Sequence, residues 1–257
     1  MMRIYVCVKH VPDSAANITI VDNAAIDEKI AFLLNPYDEH AVTEAAALKK
    51  QFAGAEIVAV CLGKKDAEKT IRSAMAMGAD RGILIETPAV PDSMTTARAL
   101  KAAIDQDGRP GIILTGKESI DAEGMQTMFR IGALFDFPVV TNAIAIQADN
   151  DLAQVTYELA GGRTRTCELV MPCVLAAGRG LNTPAYPTFP DVVKARKKPI
   201  QVVALSDLAI DTPPGGARVV GLEPLTQARS PRQIDGPPRE IAARIVNILK
   251  EEAKVIT

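Results

Sequence analysis

The run Gly116–Thr127 (GKESIDAEGMQT) holds the densest set of groups able to grip a ligand. It follows an apolar stretch, Gly111–Thr115, and precedes Gln126–Phe135, which carries apolar residues at Phe129, Ile131, Ala133 and Leu134 before Pro138 closes the unit. This predicts strand, loop and helix. In an open parallel sheet the loop beyond a strand's carboxyl end is where ligands bind. A helix start there offers unpaired N–H groups and the positive end of the helix dipole, which suit phosphate. The loop has neither the lysine–serine ending of a P-loop nor the glycine spacing of a dinucleotide fingerprint. From pattern alone, Lys117 reads equally as solvated, Ser119 as a turn former and Asp121 as a turn or cap residue.

Other reactive side chains are few. The cysteines are Cys7, Cys61, Cys167 and Cys173, with no CxxC and no Cys/His cluster, so free thiols without a metal or disulfide role are expected. His10 and His40 belong to no metal motif, and each reads as solvated or satisfied. The 257 residues carry a net charge of −2, which argues against a nucleic-acid surface. No apolar run approaches the roughly 20 residues that span a bilayer, and Met1-Met2-Arg3 leads straight into an apolar strand, so a soluble cytoplasmic protein is expected.

The elements that must position the loop read in order. Arg3–His10 is the first strand, and Asn17–Val21 a short one before the turn Asp22-Asn23. Asn35 suits a helix cap, Pro36 the first helical position, and Asp38 and Glu39 the positive end of the dipole, with Ala41, Ala45 and Leu48 facing inward as far as Lys50. Then come strand Glu56–Leu62, helix Asp66–Met77 stopped by Gly78, strand Arg81–Glu86, a helix from Asp92 or Ser93 to about Gln106, and strand Gly111–Thr115. Such alternation predicts an α/β domain with a parallel sheet. Beyond Pro138, Val139–Ile146, Leu152–Leu159 and Arg163–Val170 read as strands, the last two joined through Gly161-Gly162 as an antiparallel hairpin, with Cys173–Ala177 following.

Gly178–Pro199, with four prolines, reads as a long functional loop ending in the basic run Lys194–Lys198, which suits either a solvated face or docking. Ile200–Leu205 is the last strand. The remainder is rich in proline and glycine (Pro213-Pro214-Gly215-Gly216, Pro237-Pro238) up to one amphipathic helix, Arg239–Glu252, with Ile241, Ile245, Ile248 and Leu249 on its apolar face. Two domains are therefore expected, 1–205 and a C-terminal arm 206–257, the arm packing on a partner or covering the chain's own sheet.

Six pieces occur together in order: Val6-Cys7-Val8-Lys9, Asn35-Pro36-Tyr37-Asp38, Ala74–Asp80 (AMAMGAD), Gly116–Asp121 (GKESID), Gln126-Thr127 and Lys194–Lys198 (KARKK). In this the chain resembles electron transfer flavoprotein beta subunits from Arg3 to about Leu205, and more loosely to its end. The resemblance implies an adenine-nucleotide-binding, Rossmann-like fold: a parallel sheet flanked by helices, with added antiparallel strands and an extended C-terminal arm. It implies a heterodimer with an alpha subunit that holds most of a redox-active FAD, and a second nucleotide in the beta subunit. That second nucleotide is AMP, or a second FAD in the electron-bifurcating branch, which oxidises NADH.

By position, the resemblance places Cys7, Val8 and Lys9 beside the adenine. It places Asn35, Pro36, Tyr37 and Asp38 over base or ribose, and Leu62 and Gly63 along the pocket wall. The phosphate falls to the loop of Gly116, Lys117, Glu118, Ser119, Ile120, Asp121, Glu123, Gly124 and Met125, with Gln126 and Thr127 at the helix start. Tyr37 and Ser14 match positions on the flavin side. Ala122, Glu123 and Met125 stand where many members have two aspartates and an asparagine, and Gly124 replaces a bulkier residue, so AMP and FAD both stay open. Phe189 matches the apolar anchor of the family's partner-recognition loop, with Tyr186, Pro190, Lys194 and Lys197 around it. The function implied is electron carriage rather than enzymatic catalysis: electrons pass from acyl-CoA dehydrogenase-type flavoenzymes of fatty acid oxidation toward a membrane quinone oxidoreductase. A stand-alone adenine-nucleotide-binding domain is the rival outside the family.

Overall fold

Along the first strand, Ile4, Val6 and Val8 point to one face of the sheet and Tyr5 and Cys7 to the other, and all of them are buried. Both faces must therefore be covered by helices. The computed structural model describes residues 2–149, 151–211, 219–224 and 231–256. Its strands are β1 (Arg3–Cys7), β2 (His10–Pro12), β3 (Ile20–Val21), β4 (Ala25–Ile26), β5 (Phe32–Leu34), β6 (Glu56–Gly63), β7 (Arg81–Glu86), β8 (Ile112–Gly116), β9 (Val139–Asp149), β10 (Leu152–Glu158), β11 (Thr164–Val170), β12 (Cys173–Ala177) and β13 (Ile200–Ala204). Its helices are α1 (Pro36–Gln51), α2 (Glu68–Met77), α3 (Ser93–Asp107), α4 (Thr127–Phe135), α5 (Phe189–Ala195) and α6 (Pro238–Asn247).

The main sheet has nine strands in the order β11-β10-β9-β12-β8-β1-β6-β7-β13. Pairing is parallel from β9 to β13, and only β10 and β11 add antiparallel ladders. Helices α1 and α2 bury Ala41, Val42, Leu48, Ile71 and Met75 on one face, and α3 and α4 bury Leu100, Ile104, Met128 and Ile131 on the other. The fold is α/β, as the alternation predicts. From β1 the chain steps through β6 to β7 on one side, then returns to place β8 on the other. The order reverses between β1 and β8, and in open sheets of this kind the crevice for a ligand falls at the carboxyl ends of the two strands where the order reverses.

Several boundaries differ from the expectation for physical reasons. The first strand stops at Cys7 rather than His10, because Lys9 leaves the sheet: its N–H donates to Asp38 and its carbonyl accepts from the Asn35 N–H at 3.0 Å. His10–Pro12 then pairs with β5 in a separate small sheet. Asp22 and Asn23 turn the β3–β4 hairpin at φ 52° and 54°, as their residue types suggest. In α4 the buried stripe is Met128, Ile131 and Gly132, while Phe129 faces solvent. Gly132 is inside because Val139 packs against it, 2.0 Å from where a Cβ would stand.

The 178–199 segment is not all loop. Thr188 and Asp191 form a capping box that starts α5, a signal present in the sequence as T-x-x-D. Lys198 does not belong to a solvated run: its ammonium donates to the carbonyls of Met75 and Ala79 at 2.9 and 2.7 Å, closing the end of α2. Two compact units divide the chain between Gly221 and Leu222. In the second, α6 passes into a π-helical turn, Ile248–Glu252, and Arg232 pairs with Glu252 at 3.0 Å. The cluster Pro213–Gly216 lies outside the described residues.

Candidate functional site at the switch point

Three side chains organise the crevice. Asp38, in the first turn of α1, is buried, and its carboxylate accepts the Lys9 N–H at 2.8 Å and the Gly116 N–H at 2.9 Å. One carboxylate thus ties the exit of β1 to the exit of β8. Asn35 does not cap α1 through its side chain, contrary to expectation. Its amide reaches over the loop instead, donating to the Glu118 carbonyl at 2.9 Å and accepting from the Ile120 N–H at 3.2 Å. A buried amide does better satisfying two loop backbone groups than one helix N–H. The Lys9 ammonium completes the clamp, 3.1 Å from Ser119 Oγ and 2.7 Å from Asp121. Gly116 is required here: a Cβ would lie 2.5 Å from Asp38 Oδ1 and 2.6 Å from Tyr37 Cβ.

Burial pushes the Asp38 carboxyl up to about 7, against the opposing pull of the Lys9 and Gly116 N–H groups and the Asn35 side chain. Tyr37 is also raised, first by burial and then by Glu118. Lys117 lies 3.4 Å from Glu118 and 5.3 Å from the centre of the Tyr37 ring. Cys7 and Cys61 are buried and their thiols are raised by that burial, Cys61 to about 12, so neither is a nucleophile at neutral pH. They lie on opposite faces of the sheet and cannot pair with each other.

The second half of the loop is different. Ala122–Gln126 is exposed, with Glu123 and Met125 both at φ 47° and open space around Gly124. Helix α4 starts with no side-chain cap. The Gln126 side chain turns away to accept from Ser93 at 3.2 Å and from Arg130 at 2.7 Å, which brings a guanidinium to the first turn. Uncapped N–H groups and a neighbouring cation make this end of the loop suited to an anion.

The crevice therefore gathers Lys9, Asn35, Tyr37, Asp38 and Gly116–Asp121, with Val8 buried beneath and Leu62-Gly63 at the end of the adjoining β6. Tyr186, Phe189, Pro190, Lys194 and Lys197 form a separate group. The chain reaches them along α1, where Asn182 donates to the His40 carbonyl and to Glu44, and the Ala185 N–H donates to Thr43, all at 3.0 Å. Arg72 then holds the far end of α5 through the carbonyls of Ala195 and Lys198 at 3.0 and 2.6 Å. Phe189 is 81% exposed and Tyr186 is 97% exposed. Sequence reasoning missed Arg179, whose guanidinium lies 5.0 Å from the Tyr37 ring centre. Its only local signal is its place between two glycines just after the buried strand β12.

His10 bonds Thr70 at 2.8 Å and His40 bonds Asn182 at 3.1 Å, so both are satisfied. Among the described residues no cluster of His, Cys, Asp and Glu could hold a metal ion, and no helix is long and apolar enough to cross a membrane.

A family model described as the electron transfer flavoprotein domain matches residues 23–208. The chain is 31% identical over 256 residues to electron transfer flavoprotein subunit beta of Dictyostelium discoideum, covering 99% of each chain. It is 31% identical to the protein of the same name from Bacillus subtilis (strain 168), covering 99% of this chain and all of that one. Against the Bos taurus protein of that name it is 36% identical over 216 residues, 82% of this chain and 84% of the other. With likeness running through both halves of the crevice and nearly end to end, this chain belongs to the electron transfer flavoprotein family, as a beta subunit.

Proposed function

We propose that this beta subunit pairs with an alpha subunit, holds an adenine nucleotide in the switch-point crevice, and serves an FAD shared between the two subunits. Electrons would enter from acyl-CoA dehydrogenase-type flavoenzymes and leave toward a membrane quinone oxidoreductase. The observation that carries the reading is the clamped loop: Asp38, Asn35 and Lys9 hold Gly116–Asp121 across the crevice, while the rest of the loop leads to an uncapped helix start beside Arg130. That division suits a nucleotide, with a shaped wall for base and ribose and backbone N–H groups for phosphate.

The bound flavin supplies the redox chemistry. The chain's own part is to orient and enclose. Asp38 and Gly116 fix the spacing of the two strand exits, Asn35 sets the height of the loop, and the α4 N–H groups neutralise phosphate charge. The C-terminal arm, 206–257, covers part of the alpha subunit in this reading. Docking falls to α5. Phe189 and Val193 lie one helical turn apart and exposed, with Lys194 and Lys197 beside them, on a segment already ordered by Arg72 and the Thr188–Asp191 box. Little entropy remains to be lost when such an anchor docks.

Co-expression with the alpha subunit, followed by release and identification of the nucleotides, tests the reading. One FAD and one AMP per heterodimer is the expected result. Two FAD per heterodimer moves the protein to the bifurcating branch. A soluble flavin-free monomer that binds ATP tightly overturns the flavoprotein role.

A further inference from the structure

Between the end of β12 at Ala177 and the start of α5 at Phe189 the chain crosses the surface with few bonds to hold it. From Leu181 to Pro187, among the described residues, hydrogen bonds to distant parts of the fold come only from Asn182 and the Ala185 N–H. All of them end on α1. His40, Thr43 and Glu44 stand three and four residues apart there and share one face of the helix. Asn182 spends its whole amide on that face. Its two N–H groups go to the His40 carbonyl and to Glu44, each at 3.0 Å, and its carbonyl lies 3.1 Å from His40 Nδ1. The Ala185 N–H reaches Thr43 at 3.0 Å.

Glu44 is buried, and Asn182 is its one hydrogen-bond partner among the described residues. Burial raises the Glu44 carboxyl and the Asn182 amide opposes that. A buried acceptor left without a partner is costly, so α1 and the segment hold each other. At the far end Arg72, itself paired with Glu68 at 2.9 Å, grips the carbonyls of Ala195 and Lys198. Tyr186 and Phe189 stand between these two holds, and the Thr188–Asp191 box stiffens only the part from Thr188 onward. How the two aromatic rings are aimed therefore depends on the contact with α1. The first turn of that helix also carries Asp38, so the nucleotide loop and the docking segment share one base.

We propose that Asn182, acting with Glu44, is the positioning residue of the docking segment: it latches the segment to α1 and so fixes how Tyr186 and Phe189 are presented to a flavoenzyme donor. The inference rests on the docking reading of α5 and deepens it.

The test is steady-state electron transfer to the heterodimer from a medium-chain acyl-CoA dehydrogenase reduced by octanoyl-CoA, with the heterodimer concentration varied. Asn182→Ala is expected to raise KM for the heterodimer about tenfold, because a loosened segment must be ordered again at each encounter. The maximal rate should stay within about twofold, since the latch touches no reacting group. Asn182→Asp, of the same shape but without the two donors, should behave as Asn182→Ala does. Glu44→Gln keeps an acceptor oxygen for Asn182 and should leave KM at the parental value. Flavin content, and reduction of the flavin by dithionite, should match the parent in every variant. Phe189→Ala is the control for docking itself and should raise KM too. A KM raised by Phe189→Ala but untouched by Asn182→Ala overturns the latch and leaves the docking reading standing. So does a Glu44→Gln variant as impaired as Asn182→Asp, or a maximal rate that falls together with flavin content. A KM indifferent to Phe189→Ala, or a parent heterodimer that the dehydrogenase does not reduce, overturns the docking reading and the latch with it.

Discussion

The two edges of the sheet spend their charges in opposite ways. At the amino edge, Arg81 bonds Glu56 at 2.8 and 3.0 Å and Asp107 at 2.8 and 2.7 Å, Tyr5 donates to Asp107 at 2.7 Å, and Arg3 joins both carboxylates. Each member finds its partner within the fold. At the carboxyl edge, among the described residues, Asp38 is buried with backbone N–H groups and an amide but no ion pair, Arg179 sits against the Tyr37 side chain with no carboxylate partner, and α4 starts with no side-chain cap. An edge that satisfies itself stabilises the sheet. An edge left with unspent donors and a buried carboxylate is organised for something that arrives later.

The largest effect separating the edges is expected at Gly116. Gly116→Ala drives a methyl group into Asp38 and the Tyr37 backbone, at 2.5 and 2.9 Å, where no flexible side chain can yield. Overpacking of this kind costs about 3 kcal/mol. Denaturant unfolding should show that loss, with nucleotide content of the heterodimer falling as well. An alanine variant with parental stability and full nucleotide would show that the two strand exits are free to part.

Acid should move the two edges in opposite directions. Asp38 is raised to about 7 by burial, so the folded state holds a proton that the unfolded state has released, and its contribution to stability falls as pH rises from about 4 to 7. In Asp38→Asn that dependence is absent. The stability of the parent relative to the variant should therefore be greatest at about pH 4 and below, and fall by about 2 kcal/mol toward pH 7. At the other edge burial also raises Asp107, but the hydrogen bonds of Arg81 and Tyr5 overcome it and hold the carboxyl below its ordinary range. Its contribution is present above the unfolded-state value and lost as pH falls through the folded one. Asp107→Asn should cost about 1.5 kcal/mol at pH 7, with the gap closing in acid and nucleotide content unchanged. Denaturation series at several pH values read both. If the two gaps change with the same sign, the contrast between the edges is wrong.

The framework of both edges was legible in the sequence, because it rests on local pattern. Arg81–Glu86 and Cys173–Ala177 fall where the apolar runs place them, and Gly78 ends α2 as its type suggests. The helix start at Pro36 was equally plain. What local pattern could not carry was long-range use of short polar side chains. Asn35 has the same signature whether it caps its own helix or clamps a loop across the fold, and only the folded distance to Glu118 decides. The Gly116 partner of Asp38 is likewise distant in sequence. The α5 start was missed for another reason: its T-x-x-D box was present but overshadowed by four surrounding prolines. Phe129 faces outward because Val139, beyond the helix, claims the space at Gly132.

The smallest effect sharpens the division inside the loop itself. Lys9 reaches Asp121 and Ser119 with both charged side chains partly exposed, 41% and 24%, so the pair contributes below about 1 kcal/mol to stability. Its value lies in ordering Gly116–Asp121, which Asn35 already holds from the other side. Lys9→Met keeps the apolar stem and removes the ammonium. Melting temperature should change by no more than a degree or two, while amide exchange at Ser119–Asp121 speeds up and exchange at Glu123–Met125, which no side chain ties down, stays as it was. Faster exchange across the whole loop would mean that its two halves move together, and that the anion end near α4 depends on the clamp rather than standing beside it.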